Sequence, residues 1–198
     1  ISPFEQGNIF NRDPLRENMK KALNRLRYAG VDDIVLLTGD LEQQADVVAQ
    51  RLGLDGFESE LLPEDKARAV LRMQSGGNKV VMVGDGINDA PGLAYADVGI
   101  ALGKTRTDIA MEAADITIAG DNALMLPGVY GLAHHTMDVI RQNFFVSVGI
   151  NTVGLLFGGL GMLPVIFGAV MHNASTILVV GNSLRIFFYD MHEPVKHN

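Results

Sequence analysis

Val80-Val81-Met82-Val83-Gly84-Asp85-Gly86-Ile87-Asn88-Asp89-Ala90-Pro91 is the stretch on which the fold turns. Residues 80–83 are apolar, mostly β-branched and uncharged, which predicts a short strand covered on both faces. Gly84 and Gly86 flank Asp85, and small residues let a backbone bend sharply and come close to a ligand. Asp89 follows one short turn later. Two carboxylates at the carboxyl end of a buried strand are costly unless a cation sits between them. That end of a strand is also where open α/β sheets bind ligands. Gly-Asp-Gly alone also reads as a solvated acidic turn. Two further stretches, Leu37-Thr38-Gly39-Asp40 and Pro63-Glu64-Asp65-Lys66, fit the same site and weigh against that reading.

Working outward, apolar runs and helical spacings alternate. Leu15, Met19, Ala22, Leu23 and Leu26 recur on one helical face, opened by Asp13-Pro14 and closed by Gly30. Residues 34–37 form an apolar strand that delivers Thr38-Gly39-Asp40. Ala45, Val48, Ala49 and Leu52 mark a second helix, ended by Gly53, and Gly56-Phe57-Glu58 a short strand. Pro63 opens a third helix, with Ala67, Val70, Leu71 and Met73 apolar and Gly76-Gly77 at its end. Past Pro91 the spacing predicts strands over 98–101 and 116–119, with a helix over 105–114 between them. Asp121 or Asn122 caps a long helix running towards Arg141. This alternation is that of a parallel sheet with helices on both faces.

The net charge of −7 and a pI near 5.1 argue against a nucleic-acid footprint. With no cysteine there is neither a disulfide framework nor a thiolate metal site. The opening Ile1-Ser2-Pro3-Phe4 lacks the make-up of a signal peptide, and the chain is expected to begin within a longer protein. Charge is unevenly spread: between Arg141 and Arg185 there is no Asp, Glu, Lys or Arg. A membrane-spanning helix takes about twenty residues, so two spans fit here. The turn between them is expected near Gly158-Gly159-Leu160-Gly161 and Pro164. Arg141 before the hairpin, and Arg185 and Lys196 after it, place both flanks on the cytoplasmic side. Two helices of a soluble core are the alternative.

Gly84-Asp85-Gly86-Ile87-Asn88-Asp89-Ala90-Pro91 resembles the hinge motif of P-type ATPases, ion pumps whose phosphorylation domain has the haloacid-dehalogenase fold. Leu37-Thr38-Gly39-Asp40 and Pro63-Glu64-Asp65-Lys66 resemble two further motifs of that domain, in the same order and spacing. Ala96-Asp97-Val98-Gly99-Ile100-Ala101-Leu102-Gly103 resembles the heavy-metal-transporting branch. The likeness covers nearly the whole chain. It implies an α/β, haloacid-dehalogenase-like (Rossmannoid parallel sheet) portion of the phosphorylation domain, followed by a two-helix transmembrane hairpin. The implied divisions are 1–121 for the α/β part, 122–141 for a linking helix, 142–190 for the last two membrane helices and 191–198 for a cytoplasmic tail.

Metal-assisted phosphoryl transfer needs an anion cradle, a counter-charge and a divalent ion. Thr38 and Gly39 suit the cradle, Lys66 supplies a compact positive charge, and Asn88 holds the phosphate geometry. Asp85 and Asp89 suit Mg²⁺, which takes hard oxygen ligands. Thr38, Lys66 and Asp89 are the expected catalytic residues. ATP would be the substrate of the complete protein, and the rest of the same pump and the lipid bilayer its partners. No Asp-Lys-Thr-Gly-Thr string, the family's phosphorylation motif, occurs in the chain. Alone it is therefore expected to be inactive, because an aspartyl-phosphate mechanism needs its nucleophile. A membrane-anchored phosphatase of the same fold, or a non-enzymatic partner of a complete pump, are the alternatives.

Polar side chains inside a bilayer are expensive and usually functional. The first span carries Asn151, and the second His172, Asn173, Ser175, Thr176 and Asn182. His172, Ser175, Thr176 and Val179 are expected to share one helical face. Asn151, His172, Asn173 and Thr176 are the candidate contacts to a transported divalent heavy-metal cation, with interhelical hydrogen bonding as the other reading. Met171-His172-Asn173-Ala174-Ser175-Thr176 is closer to a His-bearing divalent-metal pattern than to the copper or the zinc and cadmium patterns of the family.

Overall fold

The computed structural model describes residues 14–84, 87–103, 112–120 and 122–191. Its contacts divide the chain into two compact units, Ile1–Leu126 and Pro127–Asn198. In the first, the elements run α1 (Pro14–Tyr28), β1 (Val35–Leu37), α2 (Glu42–Leu52), β2 (Gly56–Glu58), α3 (Pro63–Ser75), β3 (Val81–Gly84), α4 (Ala90–Tyr95), β4 (Val98–Gly103) and β5 (Ile116–Ala119). The expected alternation of strand and helix holds over this stretch. The helix expected over 105–114 falls mostly outside the described residues.

The ladders between these strands are parallel. β1 pairs with β2, Leu36 lying opposite Phe57. β3, β4 and β5 form a second sheet in that order, with Val83 opposite Ile100 and Ala101 opposite Thr117. The described strands thus make two sheets rather than the single one expected. They are joined by packing, because Leu37 of β1 rests on the cluster of Val70, Met82 and Leu93. That cluster ties α3, β3 and α4 together.

β3 departs from expectation in its burial. Met82 is 8% exposed, but Val81 and Val83 are 52% and 42% exposed. Side chains alternate along a strand. Met82 points to the face covered by α3 and α4, and the other face is uncovered among the described residues. An apolar run records a demand for cover on both faces, not the presence of the covering element.

An acid stands just before each of three strands and ties down the strand beside it. Asp55, before β2, accepts the Ile34 N–H at 2.8 Å. Asp97, before β4, accepts the Val80 N–H at 3.0 Å, together with Lys79 Nζ at 2.8 Å and Gln74 Nε2 at 3.0 Å. Asp115, before β5, accepts the Gly99 N–H at 2.8 Å. These brackets fix strand register at the amino edge of the sheets, away from the turn that follows β3. The Lys79 ammonium, ahead of the Val80 N–H and Gln74, holds the Asp97 carboxyl well below the usual carboxylate range. Arg27, followed by the Ile34 N–H, lowers that of Asp55.

The second unit holds all but the first two residues of α5 (Met125–Gly159), which a short turn joins to α6 (Val165–Ser183), and a 3₁₀ helix, Leu184–Phe188, follows. Asn122 Oδ1 accepts the Leu124 N–H at 3.1 Å, so Asn122 supplies the expected start signal. α5 runs through Arg141 without a break for 35 residues. It is the described helix long and apolar enough to cross a membrane; α6 has 19 residues. The turn falls where the glycines predict it. Gly161 adopts φ 70°, and the Met162 N–H returns to Phe157 O at 3.0 Å. Arg185 Nη1 donates to Gln142 Oε1 at 3.2 Å, so the two charged flanks lie at the same end of the hairpin.

Candidate functional site

The site is assembled at the carboxyl end of β3. A single 3₁₀ turn, Ile87–Asp89, leads directly into α4 and swings Asp89 back over the strand. A Cβ on Gly84 would lie 2.5 Å from the Cβ of Asp89, so only glycine leaves room for the carboxylate there. Lys66 enters from the first turn of α3. That helix is set by Pro63 and by Asp65, whose Oδ2 accepts the Leu62 N–H at 3.2 Å.

Lys66 Nζ lies 2.6 Å from Asp89 Oδ1, with the two side chains only 12% and 14% exposed. Both charges are largely withdrawn from water, which is tolerable because they meet each other. The pair joins residues 23 positions apart in sequence. It presents a fixed, compact positive charge beside a fixed carboxylate, the arrangement a phosphoryl group and its counter-ion require.

Thr38 follows β1 and is paired within its own turn. Its Oγ1 donates to Asp40 Oδ2 at 2.9 Å and accepts the Asp40 N–H at 3.1 Å. The hydroxyl is thus held in a local turn rather than projected outward. That turn is fastened to the loop after β2, where the Leu61 N–H donates to Thr38 O at 3.0 Å and the Glu60 N–H to Asp40 O at 2.9 Å. Glu60 has φ 55°, unusual for a residue with a side chain. Neither Asp40 as the partner of Thr38 nor the backbone of Glu60 was legible in the sequence. A positive φ leaves no mark unless glycine or asparagine stands there. A Cβ on Gly39 would come 3.3 Å from Leu61 O, which explains a small residue at that corner.

Asn88 is exposed on the turn beside Asp89. Asp85 and Gly86 lie outside the described residues. Among the described residues no three acidic or histidine side chains converge as a metal cluster. The donor set still fits a hard cation: Asp89 is fixed at the mouth of β3, and Asp85 directly follows that strand.

The hairpin's candidate residues differ in burial. Ser175 is 3% exposed and turned inward, whereas Asn151, His172, Asn173 and Thr176 are exposed. His172, Ser175, Thr176 and Val179 lie at helical neighbour spacing within one helix, where Thr176 Oγ1 donates to His172 O at 3.2 Å, and they differ in burial across that face. Packing of the two helices claims the Ser175 side, and a rotation of about 100° per residue carries its neighbours out of that seam.

Comparisons with known proteins bear on the family to which this chain belongs. A family model for haloacid dehalogenase-like hydrolases matches residues 4–97. Over 183 residues, 92% of its length, the chain is 47% identical to a manganese-exporting P-type ATPase of Mycobacterium tuberculosis, covering 26% of that protein. It is equally 47% identical, over 92% of its length, to a zinc-exporting P-type ATPase of Mycobacterium marinum, of which it covers 25%. Among solved structures it resembles a zinc-transporting PIB-type ATPase in the E2.Pi state, with a TM-score of 0.80 and 38% identity. That match covers 84% of this chain and 27% of the other. The chain thus spans about a quarter of the length of the relatives it matches.

Proposed function

Because the chain belongs to the heavy-metal P-type ATPases, we propose that it is the C-terminal portion of an ATP-driven heavy-metal cation pump. In this reading it completes the Mg²⁺-dependent aspartyl-phosphate site and supplies part of the ion path. The observation that carries the proposal is the buried pair of Lys66 and Asp89 at the carboxyl end of β3.

Each residue then has a task. The Lys66 ammonium neutralises charge on the transferred phosphoryl group, and Asp89 holds that ammonium in place. Thr38 and Gly39 line the phosphate position, with the Thr38 hydroxyl moving from Asp40 to a phosphate oxygen when one arrives. Asn88, exposed beside Asp89, orients the phosphate. Asp85 and Asp89 would hold Mg²⁺, which supplies charge stabilisation to the phosphoryl oxygens. The nucleophilic aspartate belongs to another part of the pump, so the chain alone does not form a phosphoenzyme. Gly84 keeps Asp89 close to the end of β3.

The hairpin crosses the bilayer twice, with residues 1–141 and the C-terminus on the cytoplasmic side. The joining of Arg185 to Gln142 supports this, since both flanks sit at one end. Asn151, His172, Asn173 and Thr176 face outward from the hairpin, where other helices of the pump can meet them around a divalent cation. Manganese and zinc exporters are matched at the same identity, so overall likeness does not choose between these ions. The test is Asp85→Asn in the complete pump, followed by acid-stable labelling from γ-labelled ATP. Labelling should fall by at least about a hundredfold, since a neutral amide is a poor Mg²⁺ ligand. Full labelling at limiting Mg²⁺ would refute the site.

A further inference from the structure

The last residues of α6 and the chain after them continue along α5, touching it at three successive levels. At the first, Asn143 Nδ2 donates to Ser183 Oγ at 2.9 Å, and Asn182 Nδ2 donates to Asn143 Oδ1 at 2.9 Å. Ser183 Oγ donates in turn to Val179 O at 2.9 Å. Arg185 Nη1 closes the network on Asn182 Oδ1 at 3.1 Å and on Gln142 Oε1 at 3.2 Å. Further along, the Tyr189 ring stacks on His135, with centroids 5.3 Å apart and planes 27° from parallel. At the third level, Met191 lies so close to α5 that a Cβ on Gly128 would overlap its carbonyl oxygen. Residues 182–191 therefore follow α5 from Asn143 back to Gly128, antiparallel to it.

The amides of this network are spent on each other. Asn143 both donates and accepts across the helix pair, while Asn182 donates across it and accepts from Arg185 on its own side, so each amide has both its ends engaged. A polar network at the end of an apolar hairpin is worth its desolvation cost when every member is satisfied and one packing arrangement is selected. Here it fixes the rotation of α6, turning Ser175 inward and His172 and Thr176 outward.

We propose that residues 182–191 are a brace that locks α6 to α5 for the whole catalytic cycle, so that the two helices move as one lever. Asn143 is its central positioning residue. This rests on the pump reading above, because the lever has a task only where ATP hydrolysis drives ion movement.

The experiment uses the complete pump in proteoliposomes, in a background without other cysteines; this segment contributes none. Asn143→Leu removes the clamp. It should lower metal-stimulated ATP turnover at least about tenfold, since small misplacements of working groups cost that much or more. Phosphorylation from inorganic phosphate, which needs no transported metal, should persist. The pair Asn143→Cys with Ser183→Cys replaces the hydrogen bond by a bond that can be closed with diamide and opened with a thiol. Oxidised, it should turn over as the unaltered pump does; reduced, it should behave as Asn143→Leu. Loss of turnover on oxidation would show that the helices must part, and would overturn the proposal. So would unchanged turnover in Asn143→Leu. Because both states of the cysteine pair come from one preparation, a folding defect in the leucine variant does not decide the result. An unaltered pump with no metal-stimulated turnover would instead refute the pump reading.

Discussion

Replacing Lys66 by methionine keeps most of the side chain's length and removes its charge. Asp89 would then stand 14% exposed, without the ammonium now 2.6 Å from Oδ1. Removing one partner of a largely buried ion pair costs about 3–5 kcal/mol, because the remaining charge loses this counter-charge. Domains of this size are stable by roughly 5–15 kcal/mol in all, so the loss is a large share. With a urea slope of about 2 kcal/mol per molar, the midpoint should fall by roughly 2 M. Lys66→Met combined with Asp89→Asn removes both charges of the pair, and should recover most of that shift. The assay is urea unfolding of the whole chain in detergent micelles, followed by circular dichroism of the α/β transition. A fall of less than about 0.5 M for Lys66→Met, which corresponds to about 1 kcal/mol, would mean that water reaches Asp89. A double variant no more stable than the single one would show that the lysine stem, not the charge pairing, carries the effect.

Acid should weaken the sheet edge through Asp97. Its carboxyl is held below its unfolded value, so its contribution is complete above about pH 4 and fades as pH falls further. Asp97→Asn should lose stability at pH 7 and show a flatter decline between about pH 4 and pH 2; an unchanged acid profile would remove Asp97 from the account. In the complete pump, His172→Ala should lower metal-stimulated ATP turnover while phosphorylation from inorganic phosphate survives. If both activities fell together, His172 would be a packing residue.

The residues that shape local backbone were legible in the sequence. The uncharged run at 80–83, the Pro63 opening of α3 and the glycines after residue 157 each act through their own or adjacent dihedrals. Gly30, Gly53 and Gly77 all take positive φ where helix ends were expected. The motif order brought Lys66 and Asp89 to one site through family likeness, but their 2.6 Å contact depends on how α3 packs on β3. The brackets at Asp55, Asp97 and Asp115 were not legible. Each bonds a strand 16 to 21 positions away, and that pairing exists only once the parallel register is set. Which part of that α6 face packs against α5 was hidden for a similar reason. Spacing says which side chains are neighbours, whereas the clamp of Asn143 on Asn182 and Ser183 decides which of them turn inward.

The alternation on β3 has a practical consequence for anyone handling this chain by itself. Among the described strands β3 is the outer one of its sheet, and Val81 and Val83 stand half in water beside that edge. A β-branched strand with an open hydrogen-bonding side is a template on which a second chain can add its own strand. The α/β unit should therefore scatter light as its concentration rises, even at a pH where it is fully folded. A charged residue at Val81, pointing away from the Met82 cluster, should keep it in solution without disturbing the turn that carries Asp89.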